Sequence, residues 1–180
     1  MLIKEWDKFK GWSVLEFFLT NYSKIHLKGL ARKLGISPRT AQIYLGLYEK
    51  EGILQSERVG NMILYSLSDN FVSRELKRAH FLLSIKDFIL AFLKDNREIA
   101  SLALYGSHAS GRYDDKSDID LLAISQRKTL ELKALKGMES KLGKEVKIEA
   151  YSIGEWRKIE KSDFYISVVK DNVLLYGAEI

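Results

Sequence analysis

One stretch of the sequence constrains the fold more than any other, because it joins two strand-like segments through a glycine-serine turn and a polar loop. The apolar run Ile99–Tyr105 is typical of a buried strand, and it ends at Gly106 and Ser107. After ten intervening residues an alternating run begins at Asp118 and continues to Ile124. This pattern predicts two strands connected by a short helix that begins near Ser107 and by a loop.

The residue types around this turn suit a phosphorylated ligand. Glycine at Gly106 lets a phosphate approach the backbone, and the Ser107 hydroxyl and the first free helix amides are donors for its oxygens. Because side chains alternate along a strand, Asp118 and Asp120 share a face and the apolar residues between them share the other. Two adjacent carboxylates repel each other unless a cation lies between them, and Mg²⁺ takes carboxylate and phosphate oxygens.

A third carboxylate is expected from a neighbouring strand. In the predicted strand Glu145 to Tyr151, the apolar residues alternate with charged ones, so Glu149 faces opposite to them, as the aspartates do in their strand. Glu149 is therefore the predicted third ligand, with Glu145 as the second choice. Arg112 and Lys116 in the loop are predicted second contacts to phosphate, with solvated loop charges as the alternative. His108 is expected to be a loop residue.

The first third of the chain has a helical pattern. Apolar residues recur at three- and four-residue spacing from residue 11, and a short helix is predicted at Leu27–Leu34, closed by Gly35. Ser37 followed by Pro38 is a helix start, so a third helix is predicted from Pro38 to about Glu51.

An alternating stretch follows and indicates a hairpin. It runs from Ile53 to Leu67 and is interrupted by Gly60-Asn61, a turn signal. Three helices and then a hairpin is the order of a winged helix-turn-helix, assigned to residues 1–69. Duplex DNA is the predicted partner, through Ser37, Arg39, Thr40 and Gln42 on the third helix and Arg58 and Asn61 at the wing. Binding of a protein or RNA instead is the alternative.

The rest of the chain predicts a linker helix and an alternating domain. Residues 70–95 form a long amphipathic segment, and residues 96–180 alternate strands with helices. In this domain helices are expected at about Thr129–Leu142 and Gly154–Lys170, with a last strand at Val173–Tyr176. The predicted class is α+β with a mixed sheet in the C-terminal α/β domain. The exposed face of the linker helix also suits a homodimer.

With these residues identified, the C-terminal domain resembles the DNA polymerase β-like nucleotidyltransferases. The match lies in Gly106-Ser107, ten intervening residues and Asp118-x-Asp120, with Ala109, Gly111 and the run Ser117–Leu121 in agreement. It is most similar to the minimal nucleotidyltransferases of the antitoxin type and covers roughly residues 95–180.

The resemblance implies Mg²⁺-dependent transfer of a nucleoside monophosphate from an NTP, with ATP as the default donor. It implies two ions, one held by Asp118, Asp120 and Glu149 and the other by the aspartates with the triphosphate. Gly106 and Ser107 would hold the β- and γ-phosphates, and the acceptor proton would pass to Glu149 or to water. The resemblance also implies a small helical toxin-like partner and, with the DNA-binding domain, transcription regulation.

Composition bounds these hypotheses without selecting among them. The net charge of +5 permits a polyanionic partner, and the lack of cysteine excludes disulfides and thiolate metal sites. No apolar run reaches the roughly 18 residues of a membrane span, and the start lacks a signal-peptide pattern, so the protein is expected to be cytoplasmic. The alternative function is a DNA-binding regulator whose nucleotidyltransferase domain senses a nucleotide or is inactive.

Overall fold

A computed structural model describes residues 9–127 and 129–179. The chain divides into two compact units between His80 and Phe81. This boundary falls inside a long helix, so the three-part division at 69 and 95 stays a prediction. In the described ranges, no helix combines the length and the apolar character that crossing a membrane requires.

The N-terminal unit contains helices followed by a small antiparallel sheet. Its elements are α1 (Lys10–Thr20), β1 (Ile25–His26), α2 (Leu27–Leu34), α3 (Pro38–Lys50), β2 (Leu54–Val59) and β3 (Met62–Leu67). The sheet order is β1-β3-β2, and Val59 pairs with Met62 across the two-residue turn. The predicted hairpin is confirmed, whereas the short strand β1 was missed because two residues carry no periodic pattern.

Local signals set the limits of these helices. The backbone of Gly35 is left-handed, with φ of 62°, and ends α2. The Ser37 side chain accepts a hydrogen bond from Thr40 N at 3.0 Å, which begins α3. The α2 and α3 boundaries predicted from Gly35, Ser37 and Pro38 are therefore confirmed. The core behind them is built from Val14, Phe17, Phe18, Leu30, Leu45 and Leu54.

The long helix α4 (Phe71–Asp95) leads into a four-stranded mixed sheet. The later elements are β4 (Ile99–Tyr105), α5 (Gly106–Ala109), β5 (Ile119–Ser125), α6 (Lys133–Leu142), β6 (Val146–Tyr151), α7 (Ile153–Lys158), α8 (Asp163–Lys170) and β7 (Asn172–Gly177). The sheet order is β6-β5-β4-β7, with β5 and β6 parallel and the other pairs antiparallel. The predicted α+β class with a mixed C-terminal sheet is confirmed.

Helices cover both faces of this sheet, which explains the alternation in its strands. On one face Ile119, Leu121 and Ala123 pack with residues of α4 and α6. On the other face Leu122 and Ile124 pack with Trp156 of α7 and Val168 of α8. Since β5 is buried on both sides, only its first residues can present polar groups to solvent.

One predicted helix is two helices in the structure. The segment expected to run from Gly154 to Lys170 breaks between α7 and α8, and each part has its own start. Ser152 forms a capping box with Glu155, and the Ser162 side chain accepts from Tyr165 N at 3.1 Å. A serine inside a helical pattern competes for backbone donors, and here it starts a new helix. The helix predicted from Thr129 begins only at Lys133.

Candidate functional site

The turn after β4 brings the chain backbone against a carboxylate. Gly106 has a φ of +72°, a left-handed conformation that glycine adopts without strain. A Cβ atom at this position would lie 2.7 Å from Asp120 Oδ2, closer than real Cβ contacts. Glycine therefore suits this position for two reasons: its backbone angle, and the Asp120 carboxylate that a Cβ atom would displace.

The two aspartates lie at the start of β5, beside the glycine turn. Asp118 immediately precedes the strand, and Asp120 pairs with Tyr105 of β4 and with Lys147 of β6. Asp120 is half-buried, and this burial raises the pKa of its carboxyl. The positive charge of Lys147 lowers that pKa, and the negative charge of Asp118 raises it further.

Lys147 is the group that contacts the aspartate pair. Its Nζ lies 2.6 Å from Asp118 Oδ2, and the two side chains are 51% and 36% exposed. The hydrogen bond to Asp118 and the charge of that carboxylate raise the pKa of Lys147, with smaller contributions from Glu145 and Asp120. An ammonium group, and not a third carboxylate, therefore stands beside the pair.

Glu149 lies on the same face of β6, two residues further along the strand, and is exposed. In the strand register it is the neighbour of Leu122, and its charge raises the pKa values of Tyr105 and Tyr151. Within residues 9–127 and 129–179, no three histidine or acidic side chains are grouped so that they could hold a metal ion. Glu149 as a metal ligand stays a prediction.

This donor set fits one divalent cation better than two. Asp118 and Asp120 supply carboxylate oxygens beside the exposed glycine turn, and Mg²⁺ commonly takes one or two protein carboxylates with substrate phosphates and waters. A second ion would need another anionic ligand, but the neighbour of Asp120 on β6 is Lys147. The aspartate pair therefore fits one Mg²⁺ that would arrive with a triphosphate, and the second ion that the resemblance implies stays a prediction.

Tyr105 of β4, Asp120 of β5 and Lys147 of β6 lie side by side on three neighbouring strands. Tyr105 stands beside Asp120 in the register and packs edge-on against Phe164, with ring centroids 5.7 Å apart. Burial raises the pKa of its phenol to about 12, and the charges of Asp120 and Glu149 contribute in the same direction. The phenol thus stays neutral and is able to donate a hydrogen bond at the edge of the site.

Hydrogen bonds hold the loop between Ser107 and Asp118. Arg112 N donates to Ser107 O at 3.0 Å, and Lys144 Nζ donates to three loop carbonyl oxygens, those of Asp114, Asp115 and Ser117, at 2.6, 3.1 and 3.2 Å. The side chains of Arg112 and Lys116 are exposed, and that of Ser107 is half-buried. Phosphate contacts by these three residues stay predictions.

His108 is not a loop residue, as the sequence suggested, but a buried one. Its ring is fully buried and stacks on Tyr113, with centroids 4.2 Å apart and planes 10° apart. Phe81 lies against the same ring at 4.3 Å between centroids. The sequence around His108 did not indicate that its ring is buried, because the rings that pack against it come from α4 and from the loop.

The predicted DNA-contacting residues occupy the start of α3 and the turn of the hairpin. Ser37, Arg39 and Gln42 are exposed, and Thr40 is half-buried with its hydroxyl 2.8 Å from that of Ser37. Arg58 Nε donates to Gly60 O at 3.3 Å, and Asn61 is exposed at the turn. DNA contact by this set stays a prediction.

The sequence interpretation missed Lys147 and Tyr105. A signal for Lys147 existed, because the alternation that assigned Glu149 to the outer face of β6 assigns Lys147 to the same face. Only the strand register shows which of the two stands beside Asp120. Tyr105 was counted as the end of a buried strand.

Comparison with known proteins gives the family of this chain. A family model described as nucleotidyltransferase domain matches residues 85–176, just over half of the 180-residue chain. The chain therefore belongs to the nucleotidyltransferase domain family, as the Gly-Ser and Asp-x-Asp residues predicted. No curated protein matches the chain.

Several solved structures are also similar. One is described as a toxin-antitoxin with AMP-PNP, and its chain is 22% identical to this one with a TM-score of 0.39. The aligned part covers 52% of this chain and 74% of that chain. The matched chain of a variant of the toxin-antitoxin pair MntA-HpeT is 21% identical, with a TM-score of 0.38. The aligned part covers 52% of this chain and 73% of that chain. A Sulfolobus solfataricus protein assigned to the nucleotidyltransferases is 22% identical, with a TM-score of 0.36. The aligned part covers 59% of this chain and 88% of that chain. The family assignment depends on the match over residues 85–176.

Proposed function

We propose that the C-terminal unit binds a nucleoside triphosphate with Mg²⁺ and transfers its nucleoside monophosphate to an acceptor. The observation that carries this proposal is the close approach of the Gly106 backbone and Asp120, with 2.7 Å between a Cβ position and Oδ2. A turn open to phosphate and a carboxylate able to hold its cation thus form one site. ATP is the donor to test first.

Each residue of the site has a defined task in this reaction. Gly106 admits the triphosphate to the backbone, Ser107 donates its hydroxyl to a phosphate oxygen, and the aspartate pair would hold Mg²⁺. When bound, the ion would offset charge on the triphosphate and on the departing pyrophosphate. The acceptor oxygen bonds to the α-phosphorus, the bond from that phosphorus to the bridging oxygen breaks, and pyrophosphate leaves. The acceptor proton passes to water or to Glu149.

The experiment is label transfer from ATP with Mg²⁺ present. Wild-type protein is compared with Asp118→Asn and Asp120→Asn, which keep the shape of each side chain and remove its charge. Asp115→Asn is the matched control, because Asp115 is an exposed acid of the same loop. We expect the first two variants to lose roughly 10²–10³-fold in rate, as for removal of other electrostatic groups in active sites, and the control to keep its rate. Equal rates in all four proteins would refute the proposal.

The acceptor panel follows from the resemblance described above. It contains nucleic acid ends, free nucleotides, the chain itself and a small all-helical protein encoded beside it. Label on the helical protein would support the antitoxin role. Label on another acceptor would support the transfer chemistry without that role.

A second candidate function is a DNA-binding regulator whose nucleotide site binds without turnover. The observation that favours it is Lys147, an ammonium 2.6 Å from Asp118 where a third carboxylate would support transfer. ATP binding with no transfer to any acceptor would favour this function. Transfer that Asp118→Asn abolishes would exclude it.

The N-terminal unit is proposed as a winged helix-turn-helix that binds duplex DNA, as its helices and three-stranded sheet suggest. A gel shift at several salt concentrations tests this, with Arg39→Ala as the variant and Arg97→Ala, an exposed arginine of the other unit, as the control. Losing one phosphate contact lowers the slope of log affinity against log salt by about one. No shift at low salt would favour a protein or RNA partner.

Homodimerisation is proposed through the exposed apolar residues of α4. Leu83 and Leu90 are 40% and 55% exposed on this helix. Light scattering after size exclusion measures the oligomeric state of the wild type and of the variant Leu83→Lys/Leu90→Lys. A monomer in both proteins would refute this proposal.

A further inference from the structure

Three residues from neighbouring strands lie side by side at the candidate site, and one of them, Lys147, carries an unexpected positive charge. Asp120 has Tyr105 on one side and Lys147 on the other. Neighbouring strands are roughly 4.8 Å apart, so the side chain beside Asp120 decides which ions the carboxylate can share. On β6 that side chain ends in an ammonium group.

The ammonium already neutralises half of the aspartate pair. Lys147 Nζ lies 2.6 Å from Asp118 Oδ2, and its charge also acts on the Asp120 carboxyl. Lys147 offsets one of the two aspartate charges, and the charges of Glu145 and Glu149 also act at this end of the sheet, on Lys147 and on Tyr105. A divalent cation that enters beside the aspartates meets the ammonium a few ångströms away, and the strand neighbour of Asp120 on β6 is this ammonium and not a carboxylate.

Lys147 is also placed to contact a ligand. Its side chain is 51% exposed and stands on the face of the sheet that carries Asp120. An ammonium group has three donors, so its bond to Asp118 leaves two for other oxygens. Triphosphate oxygens beside the aspartates are acceptors of the right charge.

We propose that Lys147 takes the place of one divalent cation, so that the site binds a nucleoside triphosphate with a single metal ion. The ammonium of Lys147 supplies the second positive centre and contacts the triphosphate. This inference rests on the proposed function, since it concerns the same nucleotide site. It also means that the metal ion binds weakly until the nucleotide adds negative charge.

The test measures Mn²⁺ binding from the electron paramagnetic resonance signal of the free ion, with and without α,β-methylene-ATP. The variants are Lys147→Gln, which removes the charge, Lys147→Glu, which reverses it, and Lys147→Arg, which keeps it. Lys136→Gln is the control, because Lys136 is an exposed lysine of α6. Circular dichroism and thermal unfolding check that each variant folds.

With the analogue, we expect one bound Mn²⁺ per chain in wild type and in Lys147→Arg, and two in Lys147→Glu. Without nucleotide, Lys147→Gln should bind Mn²⁺ about tenfold more tightly than wild type, because a like charge has been removed from a solvent-accessible site. The same variant should bind the analogue more weakly, while Lys136→Gln behaves as wild type.

Two bound ions in wild type, or Mn²⁺ affinity in Lys147→Gln equal to that of the control, would overturn the inference. Failure of the proposed function gives a different result: wild type and Asp118→Asn then fail alike to bind the analogue. The metal-only titration still decides the role of Lys147 in that case, because it requires no nucleotide.

Discussion

Replacing Gly106 by alanine tests whether the glycine turn and Asp120 form one site. The variant carries two costs. A left-handed backbone costs an L-residue about 1–2 kcal/mol, and Gly106 has φ of +72°. The added Cβ would also lie 2.7 Å from Asp120 Oδ2, so the carboxylate must move by at least 0.3 Å to reach 3.0 Å, the lower limit of real Cβ contacts. Turning a side chain about 30° off its rotamer costs about 0.5–1.5 kcal/mol, and moving the far end of the Asp120 side chain by this small distance lies at the lower end of that range.

Gly143 is the matched control for this variant. It has φ of +64° in the same unit, and nothing lies within 4 Å of its Cβ position. Gly143→Ala therefore loses stability only through the backbone angle, whereas Gly106→Ala should lose about 0.5 kcal/mol more. For a unit of about 100 residues, this difference corresponds to a melting temperature lower by about 2–4 °C.

The assay combines unfolding with nucleotide binding. Trp156 is buried in the C-terminal unit, so its fluorescence in a Trp6→Phe/Trp12→Phe background reports on that unit. Gly106→Ala should also weaken ATP binding by about tenfold, a loss of about 1.4 kcal/mol, because the added methyl group displaces the carboxylate proposed to hold the cation. Gly143→Ala should leave ATP binding unchanged.

A double-mutant cycle isolates the contact itself. Asp120→Ala removes the carboxylate that the new Cβ would meet, so Gly106→Ala should cost less stability in that background by about 0.5 kcal/mol. Equal stability losses for Gly106→Ala and Gly143→Ala, with no coupling to Asp120, would refute the reasoning about the close approach.

Three further predictions concern groups around the site. The folded-state pKa of Tyr105 is raised to about 12, above the ordinary 10.0, so its neutral form stabilises the fold below pH 10 and this stabilisation is lost as pH rises towards 12. Tyr105→Phe should therefore lose less stability than wild type between pH 10 and 12 in urea unfolding; equal losses would contradict this. Lys144→Met removes three hydrogen bonds to loop carbonyls and should speed amide hydrogen exchange in residues 114–117, with exchange in the N-terminal unit as the control. Ser152→Ala removes the cap of α7 and should lower the free energy of unfolding by about 1 kcal/mol, an effect that Ser152→Asp should avoid.

Local rules account for the parts of the fold that the sequence predicts well. Gly35, Ser37 and Pro38 set the ends of two helices because a cap acts within one turn of chain. The β4 boundaries Ile99–Tyr105 agree with the prediction because a strand that is buried over most of its length is mostly apolar, Ser101 apart. The prediction of one helix from Gly154 to Lys170 was wrong because a single serine is a weak sequence signal within an otherwise helical pattern. In the structure that serine, Ser162, starts α8.

The sequence by itself determined the chemical inventory of the site: a glycine-serine turn, two aspartates on one face of a strand, and a basic, cysteine-free chain. These properties depend on residue type and on the two-residue period of a strand. Tertiary structure alone decided which residue of β6 stands beside Asp120, because strand register is set by the packing of both faces and by the connections around it. A shift of two residues would have kept every apolar side chain in the core and placed Glu149 where Lys147 stands. The charge of the site therefore followed from the register, which no local pattern encodes.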